Sequence, residues 1–351
     1  MHGVRGLIFA AGHGSRLRPL TETVPKPLLP VLNIPLLHWA VLRLKDAGIT
    51  DIAINLQERH FDQFRSSVGS GERFGVEITY LHEKEPQGTG GTLRALTDYW
   101  GDSTLVAVDA DIISTLDIAG LLEHHRSCEA DATIGCLRHP WKSAEFTGDI
   151  LDVDPGTSRV REYQHMPGEK AKGRIAATGT VVLEPSILDF VPEASDATAG
   201  PDPVDLGRDV LSRAAKESCR GLFAHVSPHR FVDFGTPEQF LAGSIMALHG
   251  RLGTPPDPHG RCDIRAAPGS ATIAEDSSVE PPVLIGEGVT IGPGCRLTGP
   301  VVIGDASEIG AGAEIKSSVV LPGTQVPAGR RVHDAVIGNG IRLPDYLEEK
   351  A

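Results

Sequence analysis

The sequence predicts an α/β domain followed by a triangular parallel β-helix. Three patterns carry that expectation: strand-like and helix-like segments alternate from Val4 to about Cys136, a breaker-dense stretch follows Leu248, and an aliphatic residue then recurs at every sixth position. At 351 residues the chain is long enough to bury two separate cores.

In the first region the apolar runs at 4–10, 51–56, 76–81, 104–108 and 132–137 read as strands, and the amphipathic stretches at 36–47, 61–68, 92–99 and 118–127 read as helices. Such alternation builds a parallel sheet covered on both faces, with ligands beyond the carboxyl ends of the strands. The less regular stretch 149–248 holds a polar loop at 192–203 and a helix-like run at 206–216, and it reads as the completion of the same domain. Residues 249–260 are dense in Gly and Pro and read as a linker. The expected boundaries are a first domain at 1–248, a linker at 249–262, a repeat domain at 263–342 and a tail at 343–351.

In the repeat, Ile273, Val279, Ile285, Ile291, Leu297, Ile303, Ile309, Ile315 and Leu321 keep an unbroken spacing of six, several followed by glycine. Each is expected to point inward and stack on its counterpart one coil below. The same coils also build coenzyme A-dependent acyltransferases, which need a histidine beside the repeat. None falls between Ile273 and Leu321, and His333 lies just beyond. The repeat therefore reads as a structural and self-association module, with a homo-oligomer as the expected state.

Composition narrows the classes further. Hydrophobic residues make up 40% and charged residues 23%, and no apolar run is long enough to span a bilayer. The chain enters its first strand without a signal-peptide pattern, so a cytoplasmic location is expected. Cys128, Cys136, Cys219, Cys262 and Cys295 show no paired spacing and read as reduced structural thiols. A net charge of -13 argues against a nucleic-acid partner, and a phosphorylated ligand would need a local basic pocket.

Such a pocket is offered by Ala10-Ala11-Gly12-His13-Gly14-Ser15-Arg16-Leu17-Arg18-Pro19-Leu20, directly after the first strand. Gly12 and Gly14 let the backbone approach a ligand closely, and exposed amides in such a loop form an anion-binding nest. Arg16 adds a planar fork of donors for phosphate oxygens. Alone, the loop reads equally as a tight turn. Pro25-Lys26-Pro27 adds weight, because two prolines stiffen the chain around one positioned ammonium.

In combination these segments resemble the signature of the nucleotide-sugar pyrophosphorylases, the sugar-1-phosphate nucleotidyltransferases, G-x-G-x-R-L-x-P-L-T followed by P-K-P. Glu85-Pro86-Gln87-Gly88-Thr89-Gly90-Gly91 resembles that family's E-P-x-G-T-x-G loop, and Val232-Asp233-Phe234-Gly235-Thr236-Pro237 resembles its D-x-G-T/Q-P segment. The order matches over nearly the whole chain, and with its six-residue-repeat tail the layout is similar to guanylyltransferases that make GDP-mannose or GDP-heptose.

The resemblance implies a Rossmann-like α/β nucleotidyltransferase domain with a mixed, mainly parallel sheet, followed by a left-handed parallel β-helix. It implies a nucleoside triphosphate, GTP favoured, with Ala11, Gly12, Gly14, Ser15 and Arg16 around its phosphates and Gln87, Gly88 and Thr89 at its base. Arg16, Lys26 and Asp111 take catalytic places, and Asp111 and Asp233 those of Mg²⁺ ligands, a hard cation that prefers oxygen donors. By itself, Asp111 reads equally as a cap just past a strand. In this chemistry the acceptor phosphate attacks the α-phosphorus in line, and positioning and charge neutralisation supply the catalysis.

On the acceptor side the resemblance points to Asp109, Gly148, His165, Arg174, Thr178 and Gly179, and here the sequence departs from the family. The family's Glu-Lys-Pro is replaced by His165-Met166-Pro167, its Asn-x-Gly by Ala177-Thr178-Gly179, and its usual Asn by Asp109. A neutral thioether cannot replace an ammonium on a sugar phosphate. Two readings compete: an acceptor other than an ordinary hexose phosphate, such as the cyclitol valienol 1-phosphate, or a catalytically silent regulatory paralogue. Retention of Arg16, Lys26, Asp111 and Asp233 favours the first, with Arg161, Arg174 or His165 as candidates for the missing phosphate contact.

Overall fold

The computed structural model describes residues 3–85, 87–139, 148–192, 203–253, 271–338 and, by backbone alone, 341–343. Pro86, most of the expected polar loop at 192–203, the expected linker from 254 onward, the start of the expected repeat domain up to 270 and the expected tail from 344 lie outside the described residues.

The chain opens with β1 (Val4–Phe9), β2 (Pro30–Val31), β3 (Ile34–Pro35), α1 (Leu36–Asp46), β4 (Asp51–Gln57), α2 (Phe61–Val68) and β5 (Glu77–Glu83). It continues through α3 (Gly88–Ala95), α4 (Thr97–Trp100), β6 (Thr104–Asp109), β7 (Ile112–Ser114), α5 (Ile118–Cys128) and β8 (Ala132–Arg138). Then come β9 (Ile150–Val153), β10 (Val160–Gln164), β11 (Ile175–Leu183), α6 (Ser212–Glu217), β12 (Leu222–Val226), β13 (Phe231–Asp233) and α7 (Pro237–Leu248). Compactness divides the chain into two units, Met1–Gly12 with Ala40–Phe231, and His13–Trp39 with Val232–Ala351. This differs from the boundary expected near 248, because the segments 13–39 and 232–248 group with the repeat.

The first unit is built on a mixed sheet in the order β10-β9-β11-β6-β1-β4-β5, with β8 beside β11 and β12 beside β8. The run β6-β1-β4-β5 is parallel, whereas β11 pairs antiparallel with β6, β8 and β9. β1 lies at the centre, and Leu7 and Ile8 are fully buried, as a strand covered on both faces requires. Leu7, Ala53, Leu93, Trp100, Leu105 and Leu183 belong to one continuous core.

Two helices differ from expectation. The helix expected at 92–99 starts four residues earlier, at Gly88, and is interrupted at Leu96 before α4. Glycine is a poor helix former, so Gly88-Thr89-Gly90-Gly91 does not announce a helix. Tertiary contact overrides the propensity: Gly90 N donates to Val204 O at 2.9 Å, and a side chain at Gly90 would collide with Val204. The run at 206–216 opens as a π-helical turn, Leu206–Leu211, capped by Asp205 Oδ1 accepting from Arg208 N at 2.7 Å, before α6 takes over.

In the second unit the repeat coils into three parallel ladders. One stacks β14 (Thr272–Ile273), β17 (Thr290–Ile291), β19 (Glu308–Ile309) and β21 (Gln325–Val326). The second stacks β15 (Ser278–Glu280) on the first halves of β18 (Arg296–Ile303) and β20 (Glu314–Val320), then β22 (Arg331–His333). The third stacks β16 (Val283–Ile285) on their second halves, then β23 (Val336–Gly338), which β24 (Ile341–Leu343) closes antiparallel. Ile285, Ile291, Leu297, Ile303, Ile309 and Ile315 all point into the core, as the six-residue spacing predicts.

Within the predicted series the spacing breaks once, and a second break follows between Val332 and Ile337, where Val319 faces Val336 seventeen positions on. Leu297 faces Ile315 eighteen positions on, but Ile303 faces Val320 seventeen on, with the shift between Thr298 and Val301. Val320 is therefore the buried core residue and Leu321 only half-buried, a correction to the unbroken series. One residue is dropped at Ser317, which takes a φ of 46°. The same unit carries α7, started by Thr236 Oγ1 accepting from Gln239 N at 3.2 Å and packed against β18 and β20. It also carries the β2–β3 hairpin, whose Asn33 Nδ2 donates to Ile303 O at 3.2 Å.

Candidate active site

In the first unit the parallel strands end in a buried polar network. Ala10 N, just past β1, donates to Asn55 Oδ1 at 2.7 Å, and Gln57 Nε2 donates to Ala11 O at 2.6 Å. Asn55 and Gln57 are two apart on β4 and so share one face. Asn55 Nδ2 donates to Glu83 Oε1 and to Thr92 Oγ1, each at 3.0 Å, and Thr92 Oγ1 donates to Glu83 Oε1 at 2.5 Å. All four side chains are buried. A closed network of this kind fixes backbone position, because a buried polar group left without its partner is costly. It fixes the start of the glycine loop and, through Gln87 N donating to Glu83 Oε2 at 3.2 Å, the segment expected at the base.

That segment is locked from above as well. Gly88 has a φ of 80° and a Cβ there would collide with the Val204 carbonyl, while Val204 N donates to Gln87 O at 3.0 Å. Leu206 N donates to the Thr89 hydroxyl at 2.9 Å. Thr89 thus has a partner within the chain, whereas the Gln87 side chain is exposed. At the end of β6, Ala110 N donates to Phe9 O at 3.1 Å, which holds the half-buried Asp109 and Asp111 beside the exit of β1.

The acceptor-side residues separate into two groups. At the entry to β9, Gly148 precedes Asp149, a residue the sequence reading passed over. Asp149 Oδ2 accepts from Tyr163 Oη at 2.5 Å and Oδ1 from Met166 N at 3.0 Å. His165 Nδ1 lies 3.0 Å from Asp149 Oδ1 and 3.9 Å from Asp205 Oδ1, close in charge terms but without hydrogen-bond alignment. Burial first, and then Asp149, push the Tyr163 phenol well above its ordinary range, so it stays a donor. Met166 is 54% exposed with a φ of 41°.

The second group stands beside Asp109. Gly179 has a φ of 68° and a Cβ on it would stand 2.7 Å from Asp109 Oδ2, so glycine makes room for that carboxylate. Thr178 is fully buried, its hydroxyl donating to Gly135 O at 2.9 Å; this corrects its placement as a substrate contact. Arg174 is exposed. Arg161 is ion-paired with Asp154 at the β9–β10 turn, where the Gly156 amide, Arg161 and the Thr157 amide together hold Asp154 down to about 2.

In the second unit, Gly14 takes a left-handed φ of 61° and caps the short 3₁₀ turn Ser15–Leu17 that carries Arg16. Thr21 Oγ1 donates to Gly14 O at 2.8 Å and holds the loop. Lys26 is buried between its prolines, and its Nζ lies 3.4 Å from Asp233 Oδ1. The exposed Arg16 reaches to 3.9 Å of Asp233 Oδ2. Among the described residues no three His, Cys, Asp or Glu side chains form a ready metal cage. Single carboxylates such as Asp111 and Asp233 fit Mg²⁺, which takes few protein ligands and completes its shell with substrate phosphates and water.

A glycine loop leaving the central parallel strand, a lysine fixed between prolines and paired with a distant aspartate, and a repeat tail define a sugar-1-phosphate nucleotidyltransferase. The chain belongs to the nucleotidyl transferase family, whose model matches residues 5–248, and residues 279–347 match the GMPPB C-terminal domain. It is similar to the mannose-1-phosphate guanylyltransferase of Mycobacterium tuberculosis, 28% identical over 304 residues that cover 85% of this chain and 79% of that protein. It is also similar to the low-salt glycan biosynthesis nucleotidyltransferase Agl11 of Haloferax volcanii, at 30% identity over 70% of this chain and 66% of the relative. The UTP–glucose-1-phosphate uridylyltransferase of Synechocystis is 26% identical over 95% of this chain and 87% of its own. A solved Bacillus anthracis structure, described as a glucose-1-phosphate thymidylyltransferase, shares the fold with a TM-score of 0.61 at 24% identity, covering 70% of this chain and 95% of that one.

Proposed function

We propose that this enzyme transfers GMP from GTP to the phosphate of a sugar-like acceptor, releasing pyrophosphate, and that the acceptor is a cyclitol 1-phosphate or another compound differing from an ordinary hexose phosphate. The observation that carries the acceptor reading is the His165–Asp149 pair beside the exposed Met166, where the family keeps Glu-Lys. Similarity to mannose-1-phosphate guanylyltransferases supports guanine.

In this reading the loop from Ala11 to Ser15 wraps the triphosphate, Arg16 and Lys26 neutralise its charge, and Gln87 meets the base. Mg²⁺, when bound, would supply further charge neutralisation for the phosphates, with Asp111 and Asp233 as its protein ligands. His165, with Arg174 in reserve, replaces the missing lysine at the acceptor phosphate. The chain also self-associates through its repeat, a reading supported by Ile273 and Val279, which are 40% and 37% exposed on the first described coil.

A pyrophosphate-release screen crossing GTP, ATP, UTP and dTTP with mannose, glucose and valienol 1-phosphates tests the assignment. Turnover should be strongest with GTP and a non-hexose acceptor. Preference for mannose 1-phosphate would overturn the acceptor reading, and GTP binding without turnover anywhere would point to a regulatory paralogue.

A further inference from the structure

Thr89, expected at the base, is tied to the other side of the site. Its hydroxyl oxygen accepts at 2.9 Å from Leu206 N, the first amide of the π-helical turn Leu206–Leu211. A helical turn leaves its first amides without partners of its own, and here a side chain on α3, 117 positions away, supplies one. Within the turn, Asp205 Oδ1 accepts from Arg208 N and Asp209 Oδ2 from Asp205 N, each at 2.7 Å. Gly207 then carries the turn onto the acceptor side. A Cβ there would stand 2.7 Å from Tyr163 Oη and 2.8 Å from Asp149 Oδ2, two atoms joined by a hydrogen bond, so only glycine lets the turn lie against that pair. The other Asp149 oxygen accepts from Met166 N and lies 3.0 Å from His165 Nδ1. Asp205 Oδ1, at the head of the turn, lies 3.9 Å from the same nitrogen.

We propose that Thr89 is a positioning residue for the acceptor: by holding Leu206 it seats Gly207 against Tyr163 and Asp149 and sets Asp205 beside His165. The base segment and the acceptor pocket then share one strap, Val204 to Gly207. The base segment keeps its place without the Thr89 hydroxyl, because Val204 N donates to Gln87 O, Gly90 N to Val204 O and Gln87 N to Glu83 Oε2. Loss of that hydroxyl is therefore felt at the acceptor rather than at the nucleotide. That the Asp149–His165 side receives the acceptor rests on the proposed function.

The test compares Thr89→Val, which keeps the shape and removes the accepting oxygen, with Thr89→Ser, which keeps the oxygen. Each is followed by GTP calorimetry, KM for the acceptor found in the screen, and amide deuterium exchange over residues 204–211. Thr89→Val should raise the acceptor KM about fivefold, the scale of one lost hydrogen bond, change GTP affinity by less than about twofold, and speed exchange across the turn. Thr89→Ser should return both the KM and the exchange toward wild type. Gly207→Ala, which presses on the Tyr163–Asp149 bond from the other end, should raise the acceptor KM with Thr89 intact. A Thr89→Val enzyme that loses GTP affinity and keeps its acceptor KM would overturn the proposal and place Thr89 at the base. Wild-type exchange over 204–211 in the folded variant would overturn it as well. Should Thr89→Val not fold, an unchanged acceptor KM in Gly207→Ala would do the same. A wild type silent with every acceptor would sink the proposed function, while exchange across the turn would still decide whether Thr89 holds it.

Discussion

Lys26 Nζ sits 3.4 Å from Asp233 Oδ1, joining residues 207 positions apart. Arg16 and Lys26 are both expected at the phosphates, yet only Arg16, with 58% of its side chain exposed, is open to solvent. Lys26 is 7% exposed, and its stem packs against the Gly14 turn.

Lys26→Ala should therefore lower both turnover and stability, the second by about 1–3 kcal/mol, because it strips a partner from a half-buried carboxylate and empties a packed site. Arg16→Ala should lower turnover by orders of magnitude with the melting temperature nearly unchanged. Calorimetric melting beside pyrophosphate release separates the two, and a Lys26→Ala protein that melts like the wild type would show that the pair carries no structural weight.

How far the site could be read follows from what each residue does locally. Gly12, Gly14, Arg16 and Lys26 announce themselves because backbone freedom and prolines around one cation are rare chemistry in a few positions. Asn55, Gln57, Glu83 and Thr92 do not: polar residues on strands and helices look like a solvated face until the fold closes over them. Asp149 is silent for a similar reason, being one acid in an irregular stretch. The dropped residue in the repeat is legible in the sequence. Counting six onward from Leu321 reaches Pro327 and His333, whereas counting from Val320 reaches Val326 and Val332, both buried.

That register gives a direct test. Val320→Ala should destabilise the protein by about 2 kcal/mol, since it opens a void in a core without access to water. Leu321→Ala, at a half-buried position, should cost less than half as much despite removing more atoms. Equal costs in chemical denaturation would restore the unbroken six-residue register.

Arg161, one of the candidates for the missing phosphate contact, is ion-paired with Asp154, so it is not expected to serve the acceptor. Arg161→Ala should leave the acceptor KM unchanged and let the Asp154 titration rise from about 2 toward its ordinary 3.8, as followed by carboxyl NMR. A depressed carboxyl contributes stability that is present above its unfolded value and lost as pH falls through the folded one. The contribution is thus fully present near neutral pH and fades only in strongly acid solution, as pH falls from 3.8 toward about 2, and on so exposed a pair it is small. A raised acceptor KM would return Arg161 to the site.

The last test bears on the departure from the family at Met166. Its φ of 41° is held by its own amide donating to Asp149 Oδ1, so a lysine would inherit the same backbone without added strain. With 54% of Met166 exposed, the longer side chain would meet no packed neighbour on its way to a phosphate. Met166→Lys should then raise kcat/KM on mannose 1-phosphate by about tenfold or more, the equivalent of one charge-assisted contact. GTP binding, which depends on other residues, should not move. Turnover of the native acceptor should fall or stay level if His165, 3.0 Å from Asp149, serves its phosphate as proposed. If the wild type prefers mannose 1-phosphate and the substitution brings no gain, another cation such as the exposed Arg174 holds the phosphate, and the altered-acceptor reading falls.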